Sequence, residues 1–197
     1  MPLDVVAAHL MRTPPSGDPW IVEALHRAAS HASARGAPAG AVAYLERALA
    51  ERPPAARRRE LLLDIGTAES QLHSPRAAGH LREALALADD PDDAAVTALW
   101  LGQALYHGGA IDESFAIVSE VADRVAGHDS PATLELEAYL VSIATVAGTT
   151  AATAERAHAL EARLSPTSPV AGAVHATIAY RQMLAGAPRE DVLDGVR

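Results

Sequence analysis

The sequence predicts an all-α chain in which about five helical hairpins stack in series, an arrangement called an α-solenoid. First, Ala, Leu and Val supply most of the apolar residues and aromatic residues make up 4% of the chain, which favours closely packed helices. Second, turn residues recur every 35 to 39 residues, a period typical of helical hairpin repeats. Third, no segment sustains the alternation of apolar and polar residues that a half-buried strand requires. These turn residues are Gly36, Ser74, Gly109, Gly148 and Gly186.

The N-terminal elements follow from helical periodicity and from the positions of proline. Residues 3–12 carry apolar residues at helical spacing, which predicts a short amphipathic helix. Pro14-Pro15 ends this helix, because adjacent prolines cannot continue it. Asp18 and Pro19 supply the N-cap and the first residue of a helix that ends near Gly36.

The remaining helices begin and end at the same kinds of signal. Asp90-Pro91 and Asp129-Ser130-Pro131 are further starts, whereas Gly108-Gly109 and Ser165-Pro166 are stops. Gly186-Ala187-Pro188 opens a last segment. The predicted helices after the first hairpin turn are 38–53, 55–73, 78–88, 95–107, 111–126, 132–147, 151–164, 169–184 and the segment from 188.

Charge and composition exclude several classes of function. The formal net charge is −9, which argues against a nucleic-acid-binding surface over most of the chain. The absence of Cys excludes a disulfide framework and a thiolate zinc site. The sequence has neither a secretory leader pattern nor an apolar run of membrane-spanning length. We therefore expect a cytoplasmic protein that makes no contact with a membrane.

No motif for catalysis or metal binding is present. The nine His residues form neither H-x-x-x-H nor H-E-x-x-H, and His26 and His31 are too far apart in sequence to converge on one ion. The chain has no G-x-S-x-G, no Ser-x-x-Lys and no Cys nucleophile. We expect no enzyme, no metal and no cofactor.

Two other features suggest either packing or contact with a partner. Arg57-Arg58-Arg59 open a helix, and we interpret them as a solvated helix end rather than as a site for an anionic partner. Trp20 stands at a helix start, where it packs into the core or anchors the preceding linker or an adjoining domain.

The predicted hairpins resemble tetratricopeptide repeats at the positions that govern helix packing. The matching residues are Ala41, Leu45, Ala48 and Pro53 around the turn at Gly36, Ile65-Gly66 in the second unit, and Leu101-Gly102 with Ser114 around the turn at Gly109. The last two units depart from the pattern, because Thr153 and Asp191 stand where a small residue belongs. The resemblance implies a tetratricopeptide-like α-solenoid in which the first helix of each pair lines a concave groove.

A second resemblance covers residues 7–126. Gly17-Asp18-Pro19-Trp20, Arg35-Gly36-Ala37-Pro38 and residues 80–88 are similar to the helical-repeat region of large ATP-binding regulators of the LuxR family, of the type common in actinobacteria. In those regulators a P-loop NTPase module precedes the repeats and a helix-turn-helix follows them. The resemblance implies a non-catalytic regulatory, sensor and protein-interaction module in transcription regulation.

The same resemblance implies a division of the chain and a set of partners. Residues 1–17 would be a short helix and a Pro-rich linker from an upstream module, and residues 18–197 the tetratricopeptide-like domain. The implied partners are other domains of the same regulator, a partner protein, a small-molecule effector or a second copy of the chain.

The family's ATPase and DNA-binding roles do not carry over to this sequence. A Walker A loop requires Lys, which the chain lacks, and no basic recognition helix is present. A free-standing scaffold protein of tetratricopeptide type remains the alternative. A P-loop module upstream and a helix-turn-helix downstream in the same gene would favour the regulator.

The tetratricopeptide resemblance also implies which residues face the groove. They are polar or aromatic residues set between apolar ones, as an adaptable binding surface would have. An ordinary solvated inner face is the alternative. The candidate groove residues are His26, Ser30, Glu60, Thr67, Gln103, Tyr106, Ser142, Thr145 and Tyr180.

Overall fold

The chain is all-α, as the sequence predicts. The structure is a computed structural model that describes residues 3–148, 153–165, 170–184 and 186, and these residues form helices and turns without any strand. Over the same residues, no helix has both the length and the apolar character that crossing a bilayer requires. The helices are α1 Leu3–Leu10, α2 Pro19–Ala34, α3 Pro38–Leu49, α4 Ala55–Gln71, α5 Ala77–Ala86, α6 Pro91–His107, α7 Ile111–Arg124, α8 Pro131–Val146, α9 Ala154–Arg163 and α10 Ala171–Leu184.

The predicted starts with a cap and a proline are correct, and one helix is longer than predicted. Helix α6 begins at Pro91 rather than at Ala95, because the Asp90 carboxylate accepts hydrogen bonds from the backbone N–H groups of Asp92 and Asp93 at 2.9 and 3.3 Å. The predicted starts of helices at 151 and 169 and the segment from 188 lie outside the described residues.

Three hairpin turns have the same backbone geometry. Each has a residue with positive φ after the first helix, followed by a backbone hydrogen bond that spans five residues. Gly36 and Gly109 occupy the positive-φ position in two turns, as predicted. In the other turn it is His73, with φ of 53°, rather than the predicted Ser74. The bonds are Ala37 N–H to Ala32 O, Ser74 N–H to Glu69 O and Ala110 N–H to Leu105 O, each 2.9 Å.

The buried apolar residues form clusters that follow one another along the chain. Within the described residues, the first cluster joins α1 to α4, the second α5 to α8, and the third α8 to α10. Each helix packs on the next one in sequence, and α4, α6, α8 and α10 also contact one another in order. Most burial therefore occurs between elements that are close in the chain.

Two glycines within helices allow the helices of a pair to approach closely. A Cβ atom at Gly102 in α6 would lie 2.6 Å from Val118 Cγ2 and 2.9 Å from Tyr139 Cε1. A Cβ at Gly66 in α4 would collide with the branched end of Leu81 in α5. Both glycines occupy the Leu-Gly or Ile-Gly position of the resemblance, so the motif residues lie where a close contact requires them.

Ion pairs join helices that are two apart in the chain. Arg59 Nη2 lies 2.8 Å from Asp93 Oδ2 and so connects α4 with α6. Arg82 pairs with Glu113 across α5 and α7, and Arg156 pairs with Asp123 across α9 and α7 at 2.8 Å. The interpretation of Arg57-Arg58-Arg59 as a solvated helix end is therefore wrong, because each of these guanidinium groups binds a carboxylate on another helix.

A buried carboxylate attaches the Pro-rich segment to the first hairpin. Glu51, which is 3% exposed, accepts hydrogen bonds from the N–H groups of Ser16 and Gly17. Arg47 Nη1 donates to Glu51 Oε1 at 2.7 Å, and Arg47 Nη2 donates to Thr13 O at 3.0 Å. Residues 13–17 are thus bound to the end of α3. The predicted domain boundary at residue 17 stays a prediction.

The same contacts determine how Glu51 responds to pH. Burial alone would raise its pKa, but the hydrogen bonds from Arg47 and from the two linker amides outweigh burial, so the pKa lies below its ordinary value. The unfolded chain takes up this proton at higher pH than the folded chain does. The stability that Glu51 contributes is therefore complete above its unfolded pKa and is lost as pH falls through the folded pKa.

We expect Gly102→Ala to lower the free energy of unfolding by about 1–3 kcal/mol, because the added methyl group overlaps Val118 and the Tyr139 ring. Gly79→Ala is the matched control, since Gly79 also lies within a helix but a Cβ there has open space around it. We expect this control to raise stability by up to about 1 kcal/mol. Urea unfolding measures both, and a Gly102→Ala variant as stable as the parent would contradict the close contact.

We expect Glu51→Gln to destabilise the chain by about 1–2 kcal/mol at pH 7, since the amide cannot replace a carboxylate that accepts three hydrogen bonds. The difference from the parent should shrink in urea unfolding at about pH 3, which is below the ordinary pKa of Glu, because the unfolded chain then takes up the proton more readily than the folded chain does. The control Glu113→Gln alters an exposed ion pair and should change stability by under about 0.5 kcal/mol. An equal Glu51→Gln effect at both pH values would refute the contribution of the charge.

Candidate binding groove

The predicted groove residues lie on the first helices of successive pairs, and four of them come together between α2 and α4. His26 and Ser30 are on α2, whereas Glu60 and Thr67 are on α4. The hydroxyl of Ser30 donates to the backbone oxygen of His26 at 3.0 Å, and Glu60 pairs with Arg57 one turn earlier.

His26 is the centre of a polar cluster that bridges the two helices. Its Nε2 lies 2.6 Å from Asp64 Oδ2, and its Nδ1 lies 2.8 Å from Arg57 Nη2. The same Arg57 nitrogen donates to Glu23 Oε2 at 2.8 Å. Both ring nitrogens of His26 are therefore engaged by residues of α4, which fixes the orientation of the ring.

The partners of His26 determine where its proton lies. A guanidinium group can only donate, so Nδ1 of His26 must accept from Arg57 and carries no hydrogen. The proton is then on Nε2, which donates it to Asp64. In this arrangement the imidazole orients the Asp64 carboxylate through Nε2.

A cleft of about 300 Å³ lies beside this cluster. Its floor is apolar and its rim carries hydroxyl, amide and carboxylate groups. The predicted residues Ser30 and Thr67 line it, and so does Asp64. Its lining residues are Ala29, Ser30, Ser33, Leu45, Asp64, Thr67, Ala68 and Gln71.

The other five candidates are spread along α6, α8 and α10. Tyr106 is 38% exposed and its ring packs edge-on against His107. Ser142 lies 3.2 Å from Thr177 across α8 and α10, as measured between the hydroxyl oxygens. Thr145 has a buried hydroxyl without a hydrogen-bond partner among the described residues, and Tyr180 is half exposed.

Gln103, the remaining candidate, lies half-buried on α6. Sequence analysis missed Tyr139, which packs at the neighbouring Gly102. The hydroxyl of Tyr139 lies 3.5 Å from Ser114 Oγ, which itself donates to Gly102 O at 2.7 Å. Burial raises the pKa of Tyr139, although the contact with Ser114 partly opposes that effect. Tyr139 therefore keeps its proton at neutral pH and belongs to the helix contact at Gly102.

Sequence analysis also missed Asp64 and the role of Arg57. Asp64 follows Glu60 by four residues and precedes Thr67 by three, so all three share one helix face. That spacing was the available signal. Arg57 precedes Glu60 by three residues and so shares this face, but the spacing does not reveal its contacts with Glu23 and His26, which lie on another helix and more than thirty residues away.

The cluster is rich in acidic groups, but it does not form a metal site. Over the described part of the chain, no three His, Asp or Glu side chains are close enough to hold a metal ion. The arrangement between α2 and α4 can bind through charge and hydrogen bonds.

Trp20, which was expected to pack in the core or against a linker or domain, is 55% exposed at the start of α2.

No protein-family model, curated protein or solved structure matches this chain.

We expect Arg57→Met to lower the free energy of unfolding by about 1–2 kcal/mol. Met keeps the apolar stem but removes the donors to Glu23, Glu60 and His26. The Nδ1 atom of the half-buried imidazole then has no donor, although Nε2 keeps its contact with Asp64. The neighbouring Arg58→Met is the matched control, because Arg58 and its partner Glu83 are both largely exposed. Urea unfolding should find the control within about 0.5 kcal/mol of the parent. Equal losses in the two variants would count against a special role for the α2–α4 cluster.

Proposed function

We propose that this chain is a tetratricopeptide-like α-solenoid of about five helical hairpins. Three turns with one hydrogen-bond geometry support this, as do the close contacts at Gly66 and Gly102. Ion pairs between every second helix, and buried clusters that follow the chain in order, also fit a serial stack. Helices wrapped around one central core would instead bring distant segments together.

On that scaffold, we propose a non-catalytic regulatory and protein-interaction module that senses its signal through the groove of the first helices. One observation carries this proposal. Four residues expected in the groove meet between α2 and α4, beside a cleft with an apolar floor and a polar rim. Pockets of this composition are typical ligand sites, and the cleft volume of about 300 Å³ lies at the lower end of their range.

The resemblance within residues 7–126 supports the wider role. We propose that the module belongs to a LuxR-family ATP-binding transcription regulator in the cytoplasm. Its partners would be other domains of the regulator, a partner protein, a small-molecule effector or a second copy of the chain. The net charge of −9 fits a module that leaves contact with DNA to another domain.

The α2–α4 contact suggests how a signal could be relayed. Its ion pairs and hydrogen bonds are partly exposed, so each contributes only about 1 kcal/mol. A ligand that contacts both helices can bind one packing of the hairpins more tightly than another. Such a ligand would shift the population of molecules toward the packing that it binds more tightly. Because the hairpins are stacked in series, a small change in one contact alters the position of every later hairpin.

A free-standing scaffold protein of tetratricopeptide type is the second candidate, and the same serial packing of helices favours it. The gene distinguishes the two candidates. A reading frame that encodes a P-loop NTPase upstream and a helix-turn-helix downstream supports the regulator, whereas one that encodes neither supports the scaffold.

We expect the double variant Gln103→Ala, Tyr106→Ala to weaken binding of the effector or partner on the order of tenfold, because an exposed tyrosine is a frequent anchor of binding energy. Thermal shift against a metabolite panel and size exclusion with adjoining domains would identify the binder, and titration would measure its affinity. The matched control Asp112→Ala, Glu120→Ala changes exposed residues of α7, a second helix, and should bind like the parent. Unchanged binding in the groove variant, or a loss of binding confined to the α7 variant, would refute the proposal that the groove is the binding surface.

A further inference from the structure

The cleft between α2 and α4 has a composition that restricts what it can bind. Asp64 is the single charged residue among the eight that line it. Ser30, Ser33, Thr67 and Gln71 supply hydroxyl and amide groups around it. No aromatic residue lines the cleft, so a flat aromatic ligand would find no ring to stack on.

The charge of Asp64 is available to a ligand. His26 Nε2 contacts Oδ2, which leaves Oδ1 to accept from a second donor. The carboxyl side chain is 46% exposed, so a ligand can reach it from the cleft. A cation placed there would gain a charge-assisted hydrogen bond, whereas an anion would be repelled.

The neighbouring groups strengthen this preference for a cation. Glu23 and Glu60 each carry one negative charge, and Arg57 carries the positive charge that pairs with both. Together with Asp64, three carboxyl groups therefore surround one guanidinium group. The field of this cluster attracts a small cation to the cleft before any direct contact forms.

We propose that this cleft binds a small hydroxylated primary amine, which deepens the proposed sensor role and rests on it. The ammonium group would pair with Asp64, and ligand hydroxyls would contact the rim hydroxyls and the Gln71 amide. The volume of about 300 Å³ corresponds to roughly ten water molecules, so the ligand has on the order of ten non-hydrogen atoms. The apolar floor formed by Ala29, Leu45 and Ala68 takes up its carbon skeleton.

A charge series on one carbon skeleton tests this proposal. Glucosamine, glucose and glucuronate have similar size and hydroxyl content but differ in carrying an ammonium group, no charge or a carboxylate. We expect NMR titration of the full chain at pH 7 to give an affinity for glucosamine about tenfold above that for glucose, with glucuronate the weakest. The same affinity for all three compounds, or binding of none, would overturn the proposal.

Two variants locate the interaction. Asp64→Asn keeps the shape of the side chain but removes its charge, so we expect it to abolish the preference for glucosamine over glucose. Asp89→Asn, an exposed carboxylate in the turn before α6, is the control and should bind like the parent. Circular dichroism of each variant verifies that it is folded.

The outcomes for this proposal and for the proposed function are separable. A preference that persists in Asp64→Asn, or is lost in Asp89→Asn while that variant is folded, would overturn the assignment to Asp64. The sensor role would still stand if the Gln103→Ala, Tyr106→Ala variant lost its effector or partner. Conversely, charge-selective binding at Asp64 would stand even if that double variant bound its partner normally.

Discussion

The structure depends on how closely the two helices of a pair can approach. No helix of this chain hides its apolar face alone, so each must pack against the next one in sequence. At Gly66 and Gly102 the approach leaves no room for a side chain on the first helix. Ser114, the small residue opposite Gly102, donates a hydrogen bond to its carbonyl group across the contact. Close packing in an aromatic-poor chain is thus achieved with small residues rather than with large ones.

Polar contacts fix the alignment of neighbouring helices along their axes, which small apolar side chains specify poorly. Among the described residues, two carboxylates are almost completely buried, and each is bound by groups of a neighbouring segment. Glu51 binds the linker before α2, and Glu69 of α4 lies 2.8 Å from His80 Nδ1 and 3.4 Å from Arg76 Nε. A shift of one helix by a turn would leave either charge buried without its partners, which costs more than the ion pair contributes. Buried charges therefore select one alignment of the hairpins.

The candidate site could be predicted only in part. The tetratricopeptide resemblance implied that His26, Ser30 and Thr67 face one groove, and Ser30 and Thr67 do line one cleft. That this surface binds a partner stays a prediction. Asp64 shares the helix face of Thr67, so its place was within reach of the same reasoning. The contacts of Arg57 with Glu23 and His26 were not, because they depend on the distance between two helices, and no spacing along one helix encodes that distance.

The sequence by itself determined the helices, their caps and most of their turns, because proline, glycine and N-cap residues act on the backbone within a few positions. It also identified Gly102 as a packing residue. Tertiary structure decided that His73 rather than Ser74 takes the positive-φ position of its turn. It also decided that Arg57, Arg58 and Arg59 bind carboxylates on other helices. Finally, it placed a cleft with one carboxylate beside His26. These features arise from the relative placement of helices, which the packing of many side chains determines together.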